Sequence, residues 1–332
     1  MRTLRFYEYG GPADVLRLED AEIPQPGPGQ VRVAVRACGL TPADWALCGG
    51  LFGGDLPRGI GLEVAGTVDA LGDGVTGVQA GDEVFGPVPF TGPTAGASEY
   101  AVLDIWFPRP EGLDPTHAAA LPMAVETAYR GLEQLGVKEG AGNGLTVLVH
   151  GAGTTVGFAA AQIAVQHGAR VIATAGETYA DALRKIGAEV TAYGPGLAGR
   201  VTALARGPVD LALDTAPPGP EPSDSVPSDS VLAELVRTVR VPRDVYTLTH
   251  FATAGDHGVR FQFSEDREEI DAAMSGGLIR NDVLGEYGRL AGQGRFEIPV
   301  ARVFALDDWR EAAEISLSGH ARGKLILQIG QQ

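Results

Sequence analysis

Residues 145–162, LTVLVHGAGTTVGFAAAQ, constrain the fold more than any other part of the chain. Residues 145–149 are a short apolar and β-branched run, the next residues form a glycine-bearing turn, and a helical stretch follows. Val156, Ala160, Ile163 and Ala164 recur at helical spacing, and small residues at Ala159, Ala160 and Ala161 let that helix lie close to a sheet. The alternation then continues. Further strands are expected at residues 170–174, 189–193, 209–214, 244–248 and 259–263, and a helix precedes the first of the six in ETAYRGLEQLG. Strands alternating with helices make an α/β fold with a doubly wound parallel sheet, the Rossmann arrangement.

Upstream the pattern differs. Up to about residue 122, short β-type runs are separated by turn signals: QVRVAVRACGL, EVAGTVDALG, DEVFGPVPF and SEYAVLD. Val31, Val33 and Val35 alternate, which points one face of that strand inward. This part reads as a twisted, partly closed antiparallel sheet, and the last segment, FALDDWREAAEISLSGHARGKLILQIG, as a helix and a strand that return to complete it. The expected organisation is therefore a mainly β domain over residues 1–123, a parallel-sheet domain over 124–264 and a return over 265–332. Residues 222–231, PSDSVPSDSV, repeat five residues in tandem within a Pro- and Ser-rich linker, and a surface loop is expected there.

Composition excludes several function classes. A net charge of -16 disfavours a nucleic-acid partner, because binding a phosphate backbone needs a basic surface. The only cysteines, Cys38 and Cys48, can build neither a disulfide framework nor a four-thiolate zinc site, which fits a reducing compartment. The N-terminus lacks an apolar signal core, and no window approaches the roughly 20 apolar residues that span a bilayer, so a cytoplasmic protein without a membrane partner is expected. The nucleophile elbow G-x-S-x-G, the P-loop and H-E-x-x-H do not occur.

Three stretches, in one order, carry a resemblance: GLEVAGTVDALGDGVTGVQAGDEVFG at residues 61–86, the strand-turn-helix at 145–162, and SGHARGKLIL at 318–327. Together they resemble medium-chain dehydrogenase/reductases, in particular the zinc-independent, zeta-crystallin-like quinone oxidoreductase branch. The resemblance implies a GroES-like catalytic domain with a Rossmann domain inserted in it, a nicotinamide cofactor, a small-molecule substrate and a homodimer. Zinc-dependent members hold a catalytic zinc with a cysteine, a histidine and a third cysteine or acid. Here Thr41, Leu62 and Met123 stand at or near those positions, so no zinc is expected. Cys38 lies three residues from the ligand position, and both cysteines read as unreactive thiols.

The expected cofactor residues begin with the turn: Gly151, Ala152, Gly153, Thr154, Thr155, Val156 and Gly157. Family turns often carry glycines where Thr154 and Thr155 stand, but the requirement is backbone N–H groups aimed at a pyrophosphate from a helix N-terminus, and threonine keeps those. Thr174, Ala175, Gly176, Tyr179 and Tyr193 are expected around the adenosine ribose. Many NAD enzymes place an acid where Ala175 stands, so NADPH is the favoured cofactor, with Tyr179, Arg184 or Lys185 available to its phosphate, although Glu177 lies close by. Arg322 and Lys324 match a basic pair that reaches the cofactor in such enzymes, or are solvated charges at a strand start.

Without a Lewis acid, alcohol oxidation is hard, whereas a quinone or an α,β-unsaturated carbonyl takes a hydride directly once it is positioned and kept from water. Thr41, Asp44 and Thr127 are the expected catalytic residues, and Trp45, Phe52, Phe90 and Met123 the expected pocket. Thr41 stands where quinone reductases often carry asparagine; Asp44 either supports a hydrogen bond there or caps a helix after Thr41-Pro42. His150 is expected to brace the turn. An enoyl-thioester reductase and an NADPH-binding protein with little turnover are the alternatives.

Overall fold

The computed structural model describes residues 1–217, 228–261, 278–319 and 321–330, and among them a hydrophobic core forms in each of two units. One unit comprises Met1–Met123 and Asn281–Gln332, the other Ala124–Arg280.

The first unit is built on a mainly antiparallel sheet. Its order is Val300–Ala305, Lys324–Gln328, Val31–Leu40, Glu63–Leu71, Glu83–Pro87 and Phe107–Pro108, with Tyr100–Leu103 pairing Val31–Leu40 as well. The alternation of Val31, Val33 and Val35 places all three in the core, while Arg32 and Ala34 between them are half-buried. Beyond the irregularity near Arg36 every residue up to Leu40 is buried, because the C-terminal strand Lys324–Gln328 now lies alongside. A smaller sheet joins Arg17–Asp20, Arg2–Phe6 and Arg58–Gly59.

The second unit is a fully parallel sheet of order Glu189–Thr191, Arg170–Thr174, Thr146–His150, Leu211–Asp214 and Val245–Thr247. The strand after the first helix goes to one side of Thr146–His150 and the later strands to the other, which makes the α/β doubly wound Rossmann topology. Helix Thr155–Gln166 is buried continuously from Gly157 to Ala164, so its small side chains pack on more than one side.

Three details depart from the sequence reading. The strand expected to reach Tyr193 stops at Thr191, because the carbonyls of Ala192, Tyr193, Gly194 and Pro195 turn to the guanidinium of Arg200 instead of a neighbouring strand. The strand expected at 259–263 is represented by one parallel bridge, Tyr246 to Arg260, and residues 262 and 263 lie outside the described residues. Residues 222–227 of the tandem repeat also lie outside them. Ser228–Val236 is a helix rather than a loop, anchored by Leu232 and Leu235 in the core. Among the described residues no helix is long and apolar enough to cross a membrane.

Candidate functional site

In the Rossmann unit the strands deliver their C-terminal residues to one edge: His150, Thr174, Asp214 and Thr247 each end a strand. There the glycine turn is built. Gly151 takes φ +79, a left-handed conformation that favours glycine, and its N–H donates to Thr174 Oγ1 at 3.0 Å. Ala152 N–H donates to the Thr174 carbonyl, and the Thr174 hydroxyl also shares a 2.8 Å hydrogen bond with His150 Nδ1. Thr174 is fully buried, so it braces the turn from below rather than facing a ligand. Burial pushes the His150 imidazole below its ordinary pKa, with Asp214 opposing and His250 reinforcing the shift.

Thr154 caps the helix. Its hydroxyl accepts from Gly157 N–H at 2.9 Å, while Phe158 N–H donates to its carbonyl. The N–H groups of Thr155 and Val156 are left without a protein partner among the described residues, and they head the helix dipole. The glycines of the turn divide by what surrounds them. A β-carbon on Gly151 would lie 2.6 Å from Ala216 N, and one on Gly157 2.3 Å from the Gly151 carbonyl oxygen, so the protein itself requires both. A β-carbon on Gly153 would meet only the Tyr179 ring, at 3.8 Å. The space beside Gly153 is open, next to two unpaired donors.

Ala175 and Gly176 follow the second strand, and a β-carbon on Gly176 would meet only the Tyr193 ring, at 3.8 Å. Tyr193 is 65% exposed on the loop held by Arg200. Glu177 is exposed in the first turn of helix Glu177–Lys185, whereas Arg184 and Lys185 lie in its last turn, about 12 Å along the axis at 1.5 Å per residue. Arg184 is paired with Asp181 at 2.7 Å. These two cations are therefore poorly placed for a phosphate at the strand end, and the tyrosines stand closer.

The same edge carries a network that motif reading missed. Asp214, fully buried, accepts from His250 Nδ1–H at 2.7 Å and from the Thr247 hydroxyl at 2.8 Å, both through Oδ2; Ala216 N–H donates to Oδ1 at 3.2 Å. Burial works to raise the Asp214 pKa, but the hydrogen bond from His250 and the charges of the two imidazoles hold it below its usual range. Neither LDT nor THF is a recognised motif, so only the pairing of adjacent strand ends exposes this Asp–His pair.

In the other unit Thr41 caps helix Pro42–Cys48. Its N–H donates to Asp44 Oδ2 at 2.7 Å and its hydroxyl to the same oxygen at 2.9 Å, while Gly61 N–H donates to Oδ1 at 2.6 Å. Burial pushes Asp44 up to about 6 against those donors. Asp44 thus closes the helix start onto residue 61, and the Thr41 hydroxyl keeps only its lone pairs for another partner. Trp45 belongs to the core, with Nε1 donating to Ser316 at 2.8 Å, and is a packing residue rather than a pocket wall. Phe52 and Phe90 do come together, 5.3 Å between centroids. Buried Arg58, which no motif singles out, ties the two loops through the carbonyls of Gly53 and Phe90.

Lys324 is neither solvated nor free for a phosphate: it is buried and ion-paired with Glu63, whose other oxygen accepts from Met123 N–H at 2.7 Å. Arg322 is exposed, with φ +48. Thr127 is half-buried on helix Pro122–Gln134 and donates to Glu126 at 3.4 Å. Both cysteines are buried, and burial raises both thiols, Cys48 to about 12.

Residues 27–104 match the alcohol dehydrogenase GroES-like domain family and residues 189–327 the zinc-binding dehydrogenase family. The chain belongs to the medium-chain dehydrogenase/reductases. It is similar to the quinone oxidoreductase of Rattus norvegicus, 39% identical over 181 residues that make up 53% of each chain, so the match spans about half the length of that relative. Among solved structures, the quinone oxidoreductase of Coxiella burnetii superposes with a TM-score of 0.75 at 26% identity over 99% of both chains. An alcohol dehydrogenase superfamily protein of Novosphingobium aromaticivorans gives 0.80 at 26% identity, over 99% of this chain and 100% of the other.

Proposed function

We propose that the chain is a metal-independent oxidoreductase that uses NADPH to reduce a quinone or an α,β-unsaturated carbonyl. The observation that carries the reading is the open face of Gly153 beside the unpaired N–H groups of Thr155 and Val156: a neutral cradle with room for a pyrophosphate. A bound nicotinamide supplies hydride from C4. Thr154 shapes the turn by capping the helix, and Arg200 holds the loop that brings Tyr193 beside Gly176. Similarity to quinone oxidoreductases supports the acceptor class.

Catalytic zinc does not fit the residues at the family's ligand positions. Leu62 offers no donor, Met123 only a thioether, and the Thr41 hydroxyl donates to Asp44. Elemental analysis is expected to find far less than one zinc per chain, and turnover to survive a chelator; one zinc per chain with chelator-sensitive turnover would overturn the metal-free reading.

The cofactor and acceptor are tested together. With no acid at Ala175 or Gly176, and with Tyr179 and Tyr193 near the strand end, fluorescence titration is expected to show NADPH binding about tenfold more tightly than NADH, the effect of one or two hydrogen bonds. Equal affinity would assign ribose binding to Glu177. NADPH oxidation across a panel of quinones, enones and enoyl thioesters then identifies the acceptor. Tight binding with no oxidation across the panel would favour a cofactor-binding role.

A further inference from the structure

His250 is a buried histidine that the reading above does not use. It follows strand Val245–Thr247 and precedes the short helix Phe251–Ala254; 4% of it remains exposed. Its backbone N–H donates to Thr247 Oγ1 at 2.9 Å and its Nδ1–H to Asp214 Oδ2 at 2.7 Å. A carboxylate only accepts, so this bond fixes the proton on Nδ1 and leaves Nε2 as the working nitrogen. Nε2 has no partner among the described residues. Asp214 is in turn fixed by Thr247, by Ala216 N–H and by its place at a strand end, so the carboxylate that orients the imidazole is itself held.

The position in the sheet is informative. The glycine turn leaves Thr146–His150 at the point where the strand order reverses, which is where a pyrophosphate sits in this topology. The adenosine ribose belongs at the end of the second strand, at Ala175 and Gly176. The opposite half of a dinucleotide must then lie towards Leu211–Asp214 and Val245–Thr247, the side on which the Asp214–His250 pair stands.

We propose that His250, oriented by Asp214, is the proton donor to the acceptor, an inference that rests on the reductase reading above. A bound nicotinamide would supply the hydride, the electron pair of its C4–H bond becoming the new bond to hydrogen on the acceptor. The acceptor's π electrons move to its oxygen, and the Nε2–H bond of protonated His250 breaks to place a proton there. The acceptor is reduced, the nicotinamide oxidised, and neutral His250 recovers its proton from water. Asp214 stays ionised throughout and stabilises the imidazolium. Among the described residues, the charged or titratable groups facing His250 are Asp214 on its strand end and His150 on the next; the other neighbours are the hydroxyls of Thr247 and Thr249.

The test uses His250→Asn, whose side-chain amide can keep the bond to Asp214 while removing Nε2. Two kinds of acceptor are compared: a quinone or enone, which needs a proton, and an N-alkylphenazinium, which becomes neutral on taking hydride and needs none. The variant is expected to lose about 100-fold or more in kcat with the first, as removal of a general acid does. It should stay within about threefold of wild type with the second and in NADPH affinity, a margin of about 0.7 kcal/mol. In wild type, kcat with the quinone should fall as pH rises, since the protonated imidazole is the donor, and the phenazinium rate should not follow it. A binding readout stands beside activity: the chain has six histidines, and the His250 imidazole NMR signal, assigned from the variant, should move when NADP is added. Equal loss with both acceptors, no loss with either, or an unmoved signal overturns the proposal. Should His250→Asn not fold, wild-type pH profiles that coincide for the two acceptors overturn it equally. Wild type that oxidises NADPH with neither acceptor removes the reductase reading itself, and the proposal with it.

Discussion

Replacing Gly153 with valine is expected to abolish NADPH binding in a protein that still folds. The backbone at this position does not occupy the left-handed region, and the protein offers the new side chain only the Tyr179 ring, at 3.8 Å from the β-carbon. The bulk therefore falls into the space kept open beside the N–H groups of Thr155 and Val156. Losing two hydrogen bonds to a charged phosphate, about 1.5–3 kcal/mol each, weakens binding by about 100-fold or more. Gly157→Val, which the sequence presents as an equivalent test, is expected to fail differently. Its β-carbon would sit 2.3 Å from the Gly151 carbonyl oxygen, 2.5 Å from Thr215 Oγ1 and 2.8 Å from Ala152 Cα, so it loses stability first. Such overpacking costs about 1–3 kcal/mol. Thr154→Gly removes only the cap, a few tenths of a kcal/mol or so, and should leave affinity nearly unchanged. Fluorescence titration read beside thermal unfolding separates the three, and intact NADPH binding in folded Gly153→Val would remove the pyrophosphate from this turn.

Lys324→Met is expected to destabilise the protein by about 3–5 kcal/mol, because it strands a buried carboxylate. Glu63 is fully buried, and its partners are the Lys324 ammonium and the backbone N–H of Met123. The double variant Glu63→Gln/Lys324→Met should recover most of the loss, since an amide carries no charge to compensate and can still accept from Met123. Denaturant unfolding of the two single variants and the double variant measures the coupling. The alternative given by the sequence, Lys324 as a cofactor ligand, makes the opposite prediction: unchanged unfolding with weakened NADPH binding. That result would discard the structural role assigned here.

The two variants mark how much of the site can be read along the chain. The glycine turn was legible because its signature is local, a strand, a left-handed Gly151, a capping Thr154 and a helix within a few residues, although the Thr174 that braces it comes from the next strand. What the turn's glycines are for was not legible. Gly153 and Gly157 look alike in sequence, and only the atoms brought up from Tyr179, Ala152 and Thr215 separate open space from forced contact. Trp45 shows the same limit, since an aromatic residue on a short helix suits a core and a pocket equally until Ser316 is seen to bond its indole.

The sequence by itself determined the α/β doubly wound sheet and the mainly β unit, since hydrophobic period and turn residues are properties of neighbouring positions. It determined, too, the donor chemistry of Thr41, Leu62 and Met123, on which the expectation of a metal-free site rests, because side-chain chemistry needs no coordinates. The tertiary structure alone decided the partners of the buried charges. Glu63 and Lys324, and Asp214 and His250, are far apart along the chain; the first two meet because their strands both pair with Val31–Leu40, and the second two because Leu211–Asp214 pairs with Val245–Thr247, just before His250. Once buried, a charge must find a partner or pay several kcal/mol in lost hydration, so burial rather than sequence motif selects which carboxylate holds which cation.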